Sequence, residues 1–305
     1  MLYYVLLVLA KGPAGALAVL FSLSPLSAWV LSLFLAAPLP LPTSLPIVTS
    51  PAPDGPLPFT ACYVPAAAAN VPAAVGNVPM CLVPTRTLDT CLGPVRDQCE
   101  RSTVREFLLD RTHVTAAAYE SCVAAGVCKE RHMNRFDESD FCNCAGPGRG
   151  DHPANCINIE GAEEYCTWVG KRLPTVREWL SAAGAPDGRT YPWGSQPPDC
   201  SRANYHNEAG RGCGKAYTVP VGSLPGAMSA FGMVDMAGNI MQWTSSFVDP
   251  ASATGGEEDE EMLRYVGGGS FADTPELLRS RVVSVDEGES DGVGLGLRCA
   301  LSPRP

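Results

Sequence analysis

Apolar and polar positions divide this chain before any motif is read. From Gly12 to Pro53 there is no charged side chain, and Ala14–Ala37 (AGALAVLFSLSPLSAWVLSLFLAA) reads as one apolar stretch with a single internal proline, Pro25. As a helix it would run about 36 Å, against a hydrocarbon core of about 30 Å. Residues 1–37 therefore fit either a membrane anchor with Lys11 as its cytoplasmic-side flank, or a cleaved signal peptide with a small-residue exit at Ala36 and Ala37. Eight prolines between Pro38 and Pro58 favour an extended polyproline-type spacer. The Ala, Val and Pro pattern that follows predicts no regular structure, so residues 38–78 are expected to be a linker. Phe59–Cys62 loosely matches a lipidation box but lies far from the start of the chain.

From Pro79 onward, polar and apolar positions alternate in ways that predict elements. In Asn158–Val169, Ala162, Tyr165, Cys166 and Val169 recur at helical spacing, with Glu160, Glu163 and Glu164 toward the N-terminus, where the helix dipole favours anions. Lys171–Thr175 is then a turn, and Thr175 followed by Glu178 forms a capping-box pattern for a second helix through Ala183. Beyond it, turn signals built on Gly, Pro and Asp recur at short intervals. Two helices, short strands and long loops predict an irregular α+β domain over residues 79–305.

Composition narrows the function. The 305 residues carry 22 basic and 32 acidic side chains, a net charge of −10, with no basic run, which argues against a nucleic-acid binder. An apolar fraction of 46% argues against a largely disordered chain. Thirteen cysteines point to an exported, disulfide-bonded protein, extracytoplasmic and either membrane-anchored or secreted, and the odd count leaves at least one thiol unpaired, lipidated or intermolecular. Gly267–Ser270 lacks the lysine of a phosphate loop. The acidic run Glu257–Glu261 reads as a solvated insertion. Short clips are available between Cys200 and Cys213, between Cys122 and Cys128, and between Cys142 or Cys144 and Cys156. A zinc site on Cys142, Cys144 and Cys156 lacks the usual spacing. Trp168, Trp179, Trp193 and Trp243 could line a groove, although helical placement of the first two favours packing.

Five segments then occur together: Tyr165–Trp179 (YCTWVGKRLPTVREW), Tyr191–Gly194 (YPWG), Gly232–Trp243 (GMVDMAGNIMQW), Gly268–Phe271 (GGSF) and Gly296–Ala300 (GLRCA). In this order and spacing they resemble the formylglycine-generating enzymes, the sulfatase-modifying factors. Met80–Pro84 and Phe107–Thr115 look like the opening strands of that domain. The resemblance implies a single C-type-lectin-like domain with little regular secondary structure and bound calcium.

It also implies where chemistry should be. The family's oxidase uses two cysteines just after the Gly-Gly-Ser-aromatic motif to bind copper(I), a soft ion that prefers thiolates. The matching positions here are Asp273 and Leu278, and no cysteine occurs between Gly269 and Gly296, so copper is not expected. The family's calcium loop maps onto Asp235, Gly238, Ile240 and Gln242, and a second family site onto Asn204 and Tyr205, with no carboxylate where its later ligand should fall. The family disulfide maps onto Cys166 and Cys299; another would need a cysteine at Ala183. Thiohistidine-forming relatives carry an N-terminal domain of iron-binding histidines, whereas the four histidines here, at 113, 132, 152 and 206, show no paired helical spacing. The expectation is a calcium-supported binding or structural module without copper chemistry, whose partner is a protein, peptide or glycan and which touches a membrane only through its N-terminal segment. The alternative is an enzyme with a divergent pocket around Ser270, Asp273 and Arg298, with Asp273 as a general base.

Overall fold

Thr175 behaves as its spacing predicts. Its Oγ1 accepts from the Glu178 amide at 3.2 Å and Glu178 Oε2 accepts from the Thr175 amide at 2.8 Å, opening a helix over Val176–Ala183. Asn158 caps the preceding helix, Ile159–Trp168, through a bond from Gly161 N–H. That helix ends where Gly170 turns left-handed, φ 75°, and Lys171 N–H reaches back to the Cys166 carbonyl at 2.7 Å.

The computed structural model describes residues 9–11, 17–19, 62–65, 71–76, 78–92, 99–130, 141–144, 148–184, 187–248, 263–288 and 292–302. The chain forms two units, Met1–Asp54 and Gly55–Pro305. In the first, β1 (Leu9–Lys11) and β2 (Leu17–Val19) pair antiparallel. The strand at Leu17–Val19 departs from the helix expected across Ala14–Ala37; the remainder of that stretch, the proline run and Glu257–Glu261 lie outside the described residues. No helix among the described residues is long and apolar enough to cross a membrane.

In the second unit the elements run β3 (Cys62–Tyr63), α1 (Ala73–Gly76), β4 (Met80–Val83), β5 (Arg86–Thr90), β6 (Glu100–Val104), β7 (Phe107–Asp110), α2 (Ala116–Ala124), α3 (Ile159–Trp168), α4 (Val176–Ala183), β8 (Met241–Phe247), β9 (Leu263–Gly267), β10 (Val283–Glu287), β11 (Leu295–Gly296) and β12 (Ala300–Leu301). One sheet has the order β12-β7-β4-β3, the other β10-β9-β8-β11, and β5 and β6 form a separate hairpin. The linker expected through residue 78 gives way at Cys62. That residue pairs with Cys81 in the sheet and is disulfide-bonded to it, and Val75 is buried against the core. A bonded Cys62 carries no lipid.

Two apolar clusters sit against the sheets. Tyr119, Tyr165, Trp243, Val266 and Leu297 belong to the first; Leu109, Trp179, Phe231, Met236 and Tyr265 to the second. Trp179 packs so closely on Gly267 that a Cβ there would lie 2.6 Å from the indole ring, so β9 must end in glycine. Trp168 and Trp193 are only partly buried. Of the sequence's cysteine clips, Cys122–Cys128, Cys142–Cys156 and Cys200–Cys213 are bonded, as is Cys166–Cys299. The pairs Cys62–Cys81 and Cys91–Cys99 were not anticipated, and the Cys142–Cys156 bond removes two ligands from the zinc reading.

Between the clusters lies a buried charge network. Arg298 has no exposed surface; Nη1 donates to the Asp110 and Arg111 carbonyls at 3.0 and 3.3 Å, and Nη2 to those of Val234 and Asp235 at 3.0 and 2.9 Å. Burial lowers its pKa to about 10, which leaves it charged at neutral pH. Asp110 accepts from Lys171 Nζ at 2.6 Å and from the Cys299 amide at 2.9 Å. Burial raises the Asp110 carboxyl, and the Lys171 ammonium pulls it back. Beside them, His113 is buried with no partner on either ring nitrogen, and burial together with the Arg298 charge holds it neutral.

Two outcomes follow from this network. Arg298→Lys, a point charge that cannot span four carbonyls, should lose about 3 kcal/mol or more of unfolding free energy; an unchanged urea midpoint would contradict the assignment. For His113, the unfolded chain takes up a proton as pH falls through 6.5 while the folded protein does not. Its contribution is therefore complete above pH 6.5 and is lost on acidification below it, by up to about 1.4 kcal/mol per pH unit. Urea midpoints at pH 7.5 and 5.5 should fall less in His113→Leu than in the parent, and equal falls would refute the reading.

Candidate functional site

The segment after β9 is where family chemistry would reside. Gly268 and Gly269 take φ values of 100° and 63°, which turn the chain back on itself and bring Ser270 over Asp273. Asp273 Oδ2 accepts from both the amide and the hydroxyl of Ser270, each at 2.7 Å, so its carboxylate is engaged by its own turn. The Asp273 carbonyl accepts from His206 N–H at 2.8 Å and the Phe271 carbonyl from Gly212 N–H at 2.7 Å. A 3-10 turn, Pro275–Leu278, then carries Leu278 into full burial among Tyr191, Ala203, Tyr205 and Ala237.

The pocket expected around Ser270, Asp273 and Arg298 does not assemble. Ser270 and Asp273 bond each other, whereas the Arg298 guanidinium is spent on four carbonyls of β7's end and the Val234–Asp235 loop. With both terminal nitrogens held by carbonyls, its Nε buried without a partner and no solvent contact, this guanidinium is not presented to a ligand. A cleft of 560 Å³ lies elsewhere, on the exposed face of α3, lined by Val127, Lys129, Glu160, Glu163, Glu164, Thr167 and Trp168.

The Asp235 loop is built as the calcium resemblance implies, but its donors are differently engaged. Asp235 and Asn239 are left-handed, φ 57° and 70°, as is Gly238, whose Cβ would lie 2.8 Å from the Asn204 carbonyl. Asp235 Oδ2 accepts from Gly222 N–H at 2.6 Å, and burial raises its carboxyl pKa. Gln242 Oε1 accepts from Trp179 Nε1 at 2.9 Å. An indole N–H can only donate, so this bond fixes the amide orientation by chemistry: the oxygen faces Trp179 and the NH2 faces the loop. Gln242 Nε2 accordingly lies 3.3 and 3.4 Å from the Asp235 and Met236 carbonyls. Calcium needs converging oxygens, and here an amide donor occupies the position of the acidic ligand. The residues present do not suit a calcium ion.

The second set is also tied into the fold. The Asn204 carbonyl accepts from Asn239 N–H and that of Tyr205 from Cys213 N–H, both at 2.8 Å, while Asn204 Nδ2 donates to the Tyr217 carbonyl. Among the described residues no group of three or more His, Cys, Asp or Glu side chains converges as a metal site.

A family model, the sulfatase-modifying factor enzyme 1-like domain, matches residues 76–303. The chain belongs to this family. Relatives include the inactive C-alpha-formylglycine-generating enzyme 2 of Mus musculus, 33% identical over 178 residues, 52% of this chain and 53% of that one. Hercynine oxygenase of Mycolicibacterium smegmatis is 34% identical over 153 residues, 43% of this chain and 33% of that one. The chain thus spans about half and about a third of those relatives' lengths. The structure of PvdO from Pseudomonas aeruginosa superposes over 75% of this chain and 95% of its own with a TM-score of 0.59 and 21% identity, which establishes the α+β family fold.

Sequence reasoning missed the Trp179–Gln242 bond and the Asp110–Lys171 pair. The first joins residues 63 positions apart. The second had one local signal: a lysine immediately after the left-handed Gly170. The metal assignment makes a direct prediction for this sulfatase-modifying-factor-like domain. Calcium added to chelator-treated protein should give no binding heat and no rise in Tm. Gln242→Glu, which turns a second carboxylate oxygen toward the Asp235 and Met236 carbonyls, should melt lower in chelator and recover with calcium. A calcium-raised Tm in the parent protein would sink the interpretation.

Proposed function

We propose that this chain is a noncatalytic member of the sulfatase-modifying factor family, an exported binding or structural module that does no copper chemistry. The observation that carries this reading is Leu278. Where the oxidase would need a thiolate, an aliphatic side chain is buried in an apolar cluster. The other thiolate position is Asp273, whose carboxylate Oδ2 is engaged by Ser270. Hard carboxylate and alkyl groups are poor partners for copper(I). Likeness to a mouse relative named as inactive points the same way, and six disulfides accord with an oxidising, extracytoplasmic location.

Likeness to hercynine oxygenase favours the rival reading, an oxidoreductase using a different pocket. Asp273 is its strongest general-base candidate, and that base would have to break its bonds to Ser270 before accepting a proton.

Purified protein incubated with copper(I), oxygen and a cysteine-containing sulfatase-motif peptide should yield no aldehyde by hydrazide capture, and aldehyde above the copper-only control would refute the proposal. Hercynine and a thiol donor with iron(II) and oxygen should likewise give no sulfur-containing product, and a product lost in Asp273→Ala would establish the rival.

A further inference from the structure

We propose that the Cys200–Cys213 disulfide is a site of reversible thiol–disulfide exchange with a protein dithiol, and that its reduction releases the turn carrying Asp273. This inference stands on the loop's geometry and does not depend on whether the family's chemistry is absent.

Access separates the six disulfides. Cys81, Cys122, Cys128, Cys156, Cys166 and Cys299 are all buried, which shields at least one sulfur of four bonds. Only Cys91–Cys99 and Cys200–Cys213, among the described pairs, have no buried member: Cys91, Cys99 and Cys200 are exposed and Cys213 is partly so. Exchange requires in-line approach of a thiolate to sulfur, so these two are the reachable ones.

They differ in what they hold. Cys91–Cys99 closes the end of the β5–β6 hairpin immediately beyond the Thr90–Glu100 pair, and five register pairs keep those strands together without it. The segment from Cys200 to Cys213 has no such ladder. Its backbone is non-helical at Gly212 (φ 56°, ψ 41°) and Cys213 (φ 55°, ψ 37°); left-handed geometry is easy for glycine and unfavourable for cysteine. In that conformation Cys213 N–H bonds the Tyr205 carbonyl, Gly212 N–H the Phe271 carbonyl and His206 N–H the Asp273 carbonyl. The loop thus holds the Phe271–Asp273 turn through two amides, and the disulfide joins the loop's ends.

The step balances as ordinary exchange. The dithiol's thiolate bonds to Cys213 Sγ, the Cys200–Cys213 bond breaks, and its electron pair passes to Cys200 Sγ. Asn207 Nδ2–H, 3.2 Å from that sulfur, stabilises the leaving thiolate. The second thiol of the donor then displaces Cys213, so the donor leaves as a disulfide and both cysteines end as thiols after protonation from solvent. Freed of the cross-link, Cys213 can return to right-handed backbone, which removes the geometry presenting Gly212 N–H to Phe271.

The test uses the full chain, graded dithiothreitol, pulsed alkylation and mass spectrometry of each cysteine. Cys200 and Cys213 should become labelled at least about tenfold faster than Cys166 and Cys299, and Asn207→Ala should slow that labelling several-fold. Hydrogen exchange at the His206 and Gly212 amides should rise about tenfold or more in the partly reduced protein. The same rise should occur without reductant in a Cys200→Ser, Cys213→Ser double variant, and should be absent from Cys91→Ser, Cys99→Ser. Labelling no faster than at Cys166, or reduced protein in which His206 and Gly212 keep their protection, would overturn the proposal.

Discussion

The buried guanidinium of Arg298 is the constraint on which the domain's geometry depends. A cation with no solvent contact is tolerated only where acceptors converge, and its four carbonyls come from two places distant in sequence, the end of β7 and the Val234–Asp235 loop. The neighbouring Cys299 is tied to Asp110 by bonds in both directions, amide to carboxylate and carbonyl to amide, and to α3 by its disulfide with Cys166. One short stretch of chain therefore fixes a sheet, a helix and a loop together. The formal charges of Asp110, Asp235, Lys171 and Arg298 sum to zero, which is what makes their burial together tolerable, and neutral His113 adds none.

The same loop explains why its metal-like shape does not require a metal. Left-handed Asp235, Gly238 and Asn239 turn backbone carbonyls inward, and inward carbonyls must be satisfied by something positive. Here Arg298 donates to the Asp235 carbonyl from one side, and Gln242 Nε2 lies within reach of the Asp235 and Met236 carbonyls. Trp179 is the arbiter. Because its indole can only donate, it claims the oxygen of whatever amide sits at 242 and leaves nitrogen for the loop. A carboxylate at 242 would have offered oxygen to both.

What could be read from sequence divides along the range of the interactions. The helix start at Thr175 was legible because a cap is local chemistry, decided within four residues, and the helix after Asn158 because its apolar spacing is local too. The strands at Met80 and Phe107 and the Cys166–Cys299 bond came through resemblance, and the structure pairs β4 with β7 and joins those two sulfurs. The helix Ala116–Ala124 was passed over although Thr115 caps it, because its alanine-rich start gives no apolar period to read. The incorporation of Cys62 and Val75 into the domain was illegible for the opposite reason: a proline- and alanine-rich composition says linker, and only tertiary contacts to Cys81 and the core override it. At the candidate site, residue types gave the missing thiolates directly, whereas the engagement of Asp273 by Ser270 and the withdrawal of Arg298 from the pocket required the fold.

Two of the positions where the family would place metal, the Asp235 loop and the Gly-Gly-Ser turn, are filled by groups of the fold itself. A metal centre satisfies several lone pairs at once; without it, each lone pair needs its own donor or must leave the site. At the Asp235 loop the donors are the guanidinium of Arg298 and the amide of Gln242. At the Gly-Gly-Ser turn Asp273 keeps its lone pairs and takes two donors from Ser270, while Leu278 brings no lone pairs and joins the apolar cluster. In the first place the loop carbonyls are met by Arg298 and Gln242, and in the second the Asp273 carboxylate is met by Ser270. What mobility the site retains must enter from its rim, where the 200–213 loop meets the Asp273 turn through backbone bonds and carries a partly exposed disulfide.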